Sequence, residues 1–135
     1  HTTDAVHTIN RVIDIFPEGQ QAQVRQQLAE TLEAVVAQTL LNRISGGRVA
    51  AFEILIANSA VKNLIREGKS HEIYSLMQLG TQQGMRTMDH SLGELVSKQV
   101  ITLEEGLSRS IYPDQLRKKF EALNIEYRPQ PASRR

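Results

Sequence analysis

Cysteine is absent from the sequence, which excludes disulfides, thiolate metal sites and a cysteine nucleophile and sets redox chemistry aside. Its absence fits a reducing compartment. No stretch reaches the ~18 consecutive apolar residues that a membrane helix requires, and no charged-then-apolar opening resembles a signal peptide. A cytosolic chain without direct membrane insertion is therefore expected. An excess of one charge is also missing: 16 basic and 15 acidic residues, well interspersed, leave a formal net charge of +1. Nucleic-acid binders usually gather positive charge on one face, so nucleic acid is not an expected partner. Arg128, Arg134 and Arg135, among Pro129 and Pro131, give a local basic bias that marks 124–135 as an expected disordered tail.

What is there is the balance of an ordinary globular chain, 40% hydrophobic and 23% charged over 135 residues, for which one domain is the prior. The first residue is His1 rather than methionine, and the residues after it read as a loop entering a helix. The chain is expected to begin inside a larger protein.

Thr3 or Asp4 can N-cap a helix over 5–15, whose Val6, Ile9, Val12, Ile13 and Phe16 follow helical spacing up to Pro17. Val24, Leu28, Leu32, Val35 and Val36 lie on one stripe and predict a second helix over 20–37. The period then changes. Thr39–Ile44 and Arg48–Ile56 are short apolar runs around Ser45-Gly46-Gly47 and predict an antiparallel hairpin. Asn58 or Ser59 caps the next helix, with Leu64 and Ile65 inward and Gly68 at a left-handed stop. A short helix from Ser70 through Tyr74 and Met77 ends at Gly80, and Thr87–Gln99 carries Met88, Leu92, Leu95 and Val96 at helical spacing. Thr102 and Glu105 make a capping box before a helix over 103–109, and Pro113 suits the first position of a last helix with Leu116, Phe120 and Leu123 on one side. Two strands seldom hold together alone in water, so the hairpin is expected to extend a larger sheet.

The residues show no self-sufficient active site. His1, Asp4 and His7 recur every three residues and could hold a metal, but Asp4 as a helix cap and His7 at the surface explain them more simply, and no metal is expected. His71-Glu72 lacks the second histidine of a zinc-protease motif. Gly46-Gly47-Arg48 is a turn, because a phosphate-binding loop needs G-x-x-x-x-G-K-[ST], and no such string occurs. There is no G-x-S-x-G elbow either.

Three blocks nevertheless carry a resemblance. His1-Thr2-Thr3-Asp4-Ala5-Val6-His7 through Arg11-Val12-Ile13-Asp14-Ile15-Phe16-Pro17 resembles the segment that starts at the His-box histidine of secretion and pilus ATPases. Val36–Leu41 and Gly46–Ile56 are similar to the same family's hairpin. Most specific is Ala60-Val61-Lys62-Asn63-Leu64-Ile65-Arg66-Glu67, which resembles the Ala-Ile-Arg-Asn-Leu-Ile-Arg-Glu signature of PilT-type retraction motors, with Val61 for Ile and Lys62 for Arg. The lysine keeps the charge and loses the guanidinium fork. Ile73–Gln78, Gly84-Met85 and Thr87-Met88-Asp89 also look like the family's helical C-terminus.

The resemblance to type IV pilus retraction (twitching motility) motor ATPases implies an α/β fold: the C-terminal part of a RecA-like ATPase domain, mostly helical here, with a sheet-edge hairpin. It implies a division into 1–57 (ATPase core), 58–123 (helical subdomain with the signature) and the tail. It implies a parent that binds ATP and Mg²⁺ between subunits of a homo-hexamer and meets an inner-membrane pilus platform protein on the cytoplasmic side. His1 would sense the γ-phosphate, Arg11 would lie in the same box or be an ordinary exposed arginine, and residues 60–67 would couple hydrolysis to movement. The phosphate cradle and metal ligands of such a parent precede His1, so this piece alone is expected to bind no cofactor and to be inert. A pilus-assembly or type II secretion ATPase, or a non-catalytic partner-binding module derived from one, is the alternative.

Overall fold

The computed structural model describes residues 4–122; His1, Thr2, Thr3, Leu123 of the expected last helix and the expected tail at 124–135 lie outside the described residues. Helix α1 spans Ala5–Asp14, and Asp4 rather than Thr3 caps it, accepting from the His7 N–H at 2.8 Å. Ala5, Ile9 and Ile13 form its buried line, while Val12 and Phe16 lie off that line and are exposed.

The second helix, α2, spans Glu18–Thr31, shorter than the expected 20–37. Leu32 turns to extended backbone (φ −67°, ψ 128°), and strand β1 begins at Ala34 rather than Thr39, running to Asn42. The misreading has a physical source. Val35 continues the apolar stripe of Val24, Leu28 and Leu32 into the same core, so helical and strand periods agree across the junction. Pairing with β2, Arg48–Ile56, decides the matter, because register runs from Ala34 opposite Ile56 to Asn42 opposite Arg48. Backbone ladder bonds over that length outweigh local propensity.

Gly46 and Gly47 turn the hairpin at φ +96° and +74°. On its inner face Ala51, Glu53 and Leu55 are buried, whereas Val36, Leu40 and Phe52 look outward and are partly exposed. No further strand joins this sheet among the described residues; Arg86 alone pairs with Ile54 as a single antiparallel bridge.

Helix α3, Ser59–Arg66, is capped by Asn58, which accepts from the Val61 N–H at 2.9 Å. Gly68 at φ +69° closes it: Lys69 N–H donates to the Leu64 carbonyl and Gly68 N–H to the Ile65 carbonyl, the paired bonds of a Schellman stop. A 3-10 turn at Ser70–Glu72 leads into α4, Ile73–Leu79, and a second at Thr81–Gln83 leads out of it. Then come α5 (Met88–Ser97), α6 (Leu103–Arg109) and α7 (Pro113–Ala122). Thr102 caps α6 as expected, but the Glu105 carboxylate accepts from the Asn42 N–H at 2.9 Å, fastening α6 to β1 rather than closing the box.

Two hydrophobic cores share the sheet. The first joins α1, α2, α3 and α4 over Leu55, through Ile9, Ile13, Ala29, Val61, Ile65, Ile73 and Met77. The second joins α5 and α7 over Leu41 and Ala51, through Met88, Leu92, Val96, Leu116 and Phe120.

Candidate functional site

The residues singled out in the sequence fall on α1 and α3. His1 lies outside the described residues. Arg11 is exposed on the last turn of α1, where a cation suits the helix dipole, and it makes no ion pair among the described residues. His7 bonds Asp4 through Nδ1 at 2.5 Å with its ring 70% exposed. Asp4 thus serves the helix start, as the simpler reading expects. Among the described residues, no group of three or more His, Cys, Asp or Glu side chains could hold a metal ion.

The signature at 60–67 splits by face. Val61 and Ile65 are buried in the first core with Ile9 and Ile13 of α1, and Leu64 packs against the same core from a half-buried position. Ala60, Asn63, Arg66 and Glu67 are exposed, and Lys62 is half-buried. Asn63 Oδ1 accepts from Arg66 Nη1 at 2.8 Å, and Glu67 pairs with Lys69 at 3.4 Å in solvent, where such a pair contributes little. The structure therefore places α1 and α3 in one apolar core, with α3 packed chiefly on α2, and leaves the polar side of α3 exposed. Arg11 and the exposed residues of α3 share no bond among the described residues.

Two polar features escaped the sequence reading. Glu53 is fully buried on β2, and its carboxylate accepts from the N–H of Ala5 and of Met88, each at 2.9 Å. Burial pushes this carboxyl up from its ordinary range; the two N–H bonds oppose that, and Asp4 and Asp89 add to it. The available signal was an acid at an inward position of a strand. Asp89 is the second feature: its carboxylate accepts from Ser110 Oγ and from the Ile111 and Tyr112 N–H groups, tying α5 to the turn before α7.

A cleft of about 500 Å³ opens between α4, α5 and α7, lined by Tyr74, Arg86, Thr87, Asp89, His90 and Lys119 among others. Burial, with Asp89 nearby, pushes Tyr74 up to about 12, against a hydrogen bond with Thr87. At the rim Arg86 pairs with Glu94 and holds that carboxyl below its usual range.

The described residues do not fit ATP·Mg²⁺ by themselves. They contain neither a glycine-rich loop with a lysine at a helix start nor a cluster of metal-binding carboxylates.

Comparison with known proteins supplies the context. The chain is 46% identical over 114 residues, 84% of its length and 33% of the relative's, to the type IV pilus retraction ATPase PilT of Pseudomonas aeruginosa. It is 50% identical over 111 residues to a twitching motility protein of Neisseria gonorrhoeae, covering 82% of this chain and 30% of that one. A crystal structure of the pilus retraction motor PilT with bound ADP matches with a TM-score of 0.78 at 45% identity, covering 87% of this chain and 33% of that chain. The chain thus spans about a third of the length of the curated relatives it matches. No family model matches it.

Proposed function

Because the chain belongs to the PilT-type family of type IV pilus retraction ATPases, we propose that it is part of a longer motor that hydrolyses ATP and retracts pili by removing pilin subunits at the base. Its fold class is α/β, the C-terminal part of a RecA-like ATPase domain. The motor works as a homo-hexamer on the cytoplasmic face of the inner membrane, against a platform protein there. No helix among the described residues is long and apolar enough to cross a membrane. ATP and Mg²⁺ are held by the rest of the motor, with His1 sensing the γ-phosphate and Arg11 beside the same box.

The contribution of this chain is mechanical. Its supporting observation is the sharing of one core by α1 and α3, which leaves Asn63, Arg66 and Glu67 on the surface. A helix gripped on one side and polar on the other suits a moving contact with a partner. It does not suit phosphate chemistry, for which α3 offers neither a cradle nor a metal ligand. Retraction is favoured over assembly or secretion by the 60–67 signature and by relatives named for retraction and twitching.

The test compares the intact protein with residues 1–135 alone. The intact protein is expected to turn over ATP, and the 135-residue chain neither to bind ATP at micromolar concentration by calorimetry nor to hydrolyse it. Turnover by the short chain, or none by the intact protein, overturns the reading.

A further inference from the structure

Along the inward face of β2, Ala51 belongs to the second core, Leu55 to the first, and Glu53 lies between them with no exposed surface. Its Oε1 accepts from the Ala5 N–H and its Oε2 from the Met88 N–H. Ala5 and Met88 are the first residues of α1 and α5, so one carboxylate takes up an orphan donor at each helix start and sits at the positive end of both dipoles.

Asp4 and Thr87 cap the two helices through the N–H groups of His7 and His90, and Glu53 takes a remaining first-turn donor of both helices at once. Burying an acid is costly, and a separate neutral acceptor at each helix start would satisfy the same two donors without that cost. What the carboxylate adds is a fixed relation between two helix starts that belong to different cores.

We propose that Glu53 is a positioning residue that locks the start of α1 to the start of α5, so that a shift at the His-box end of α1 is carried into the C-terminal helices. The direction of that transmission rests on the ATPase reading above; the lock itself rests on the geometry. The two bonds make the starts of α1 and α5 move together, whereas packing within each core would let the cores slide at their seam.

The experiment is amide exchange read by mass spectrometry on the intact protein, with and without a non-hydrolysable ATP analogue. Glu53→Gln keeps the shape and one acceptor oxygen but turns an amide NH₂ toward the second helix N–H. Losing one such bond is expected to raise nucleotide-free exchange about 5–30-fold at the helix start that the amide faces, with the middle of both cores still protected. In the wild type the analogue is expected to change exchange at the starts of both α1 and α5. In Glu53→Gln the change at α1 should remain and the change at α5 should disappear. Glu53→Asp, one methylene too short to span both helices, should lose the α5 response in the same way and serves if Glu53→Gln fails to fold. Persistence of the α5 response in a folded variant, or its absence from a wild type that does bind the analogue, overturns the proposal. A wild type that binds no nucleotide overturns the ATPase reading instead. The lock is then judged on nucleotide-free exchange, where a rise confined to the helix starts supports it and a uniform rise refutes it.

Discussion

Ser70 Oγ donates to Asn10 Oδ1 at 2.6 Å, which fastens the turn after α3 to the outer side of α1 by a direct side-chain bond. Ile9, Ile13, Val61 and Ile65 belong to one apolar core, so the bond adds direction to packing that is itself non-directional. A double-mutant cycle with Asn10→Ala and Ser70→Ala should give a coupling of about 0.5–1.5 kcal/mol in urea unfolding. Strict additivity would show that the bond is incidental.

Glu53 should govern part of the acid response of stability. Its folded-state pKa is raised above the ordinary 4.5, with the burial of the carboxylate as the main cause and Asp4 and Asp89 facing it. The folded chain therefore holds this proton more tightly than the unfolded chain. The stabilisation gained from protonation is complete below about pH 4.5 and is lost as pH rises through the folded-state value. Glu53→Gln has no such proton, so its urea midpoint relative to wild type should improve as pH is raised from 4 to 7. A constant difference across that range would contradict the assignment.

Gly80 permits a close approach. A methyl group there would lie 2.7 Å from the Met85 sulfur and 3.1 Å from its Cβ, and Met85 is buried in the first core. Backbone strain plays no part, since φ is −91°. Gly80→Ala should cost about 1–3 kcal/mol by overpacking, and should cost less when introduced into a Met85→Ala background, where the sulfur and Cγ it meets are gone. An unchanged melting temperature in the single variant would show that Met85 moves aside freely.

The open face of the hairpin is expected to be covered in the intact motor by the remainder of a larger sheet domain. Phe52 is 41% exposed and Val36 63% exposed in the 135-residue chain, an apolar surface that is unusual on a strand pair without further layers. Phe52→Ser should destabilise the intact protein by at least about 1 kcal/mol more than it destabilises this chain, where much of the ring already meets solvent. Equal effects in both would argue that the face is open in the motor as well.

Much of this architecture could be read from local chemistry. Asp4, Asn58 and Thr102 cap helices at the positions their side chains suggest, Gly68 takes up the left-handed stop, and Pro113 opens α7. These signals act within a few residues and need no knowledge of the fold. The end of α2 was not legible in the same way, because Val35 satisfies both periods and only pairing with Leu55 on the opposite strand decides between them. Glu53 was missed for a related reason. Its partners are a helix start 48 residues before it and another 35 residues after it, and no local pattern announces either. The candidate site behaved likewise: the signature at 60–67 was visible as a string, but its division into buried Val61 and Ile65 and exposed Asn63, Arg66 and Glu67 came only from packing into the first core, chiefly against α2.

The measurement that bears most directly on the account is the effect of Asn63→Ala, Arg66→Ala and Glu67→Ala in the intact motor on three readouts: ATPase rate, ring assembly and twitching. All three side chains are exposed, so each change should alter stability by no more than about ±0.5 kcal/mol. The predicted result is near-normal ATP turnover and assembly with impaired twitching. Normal twitching in all three variants, or ATPase activity lost in proportion to twitching, would contradict the claim that α3 couples hydrolysis to movement.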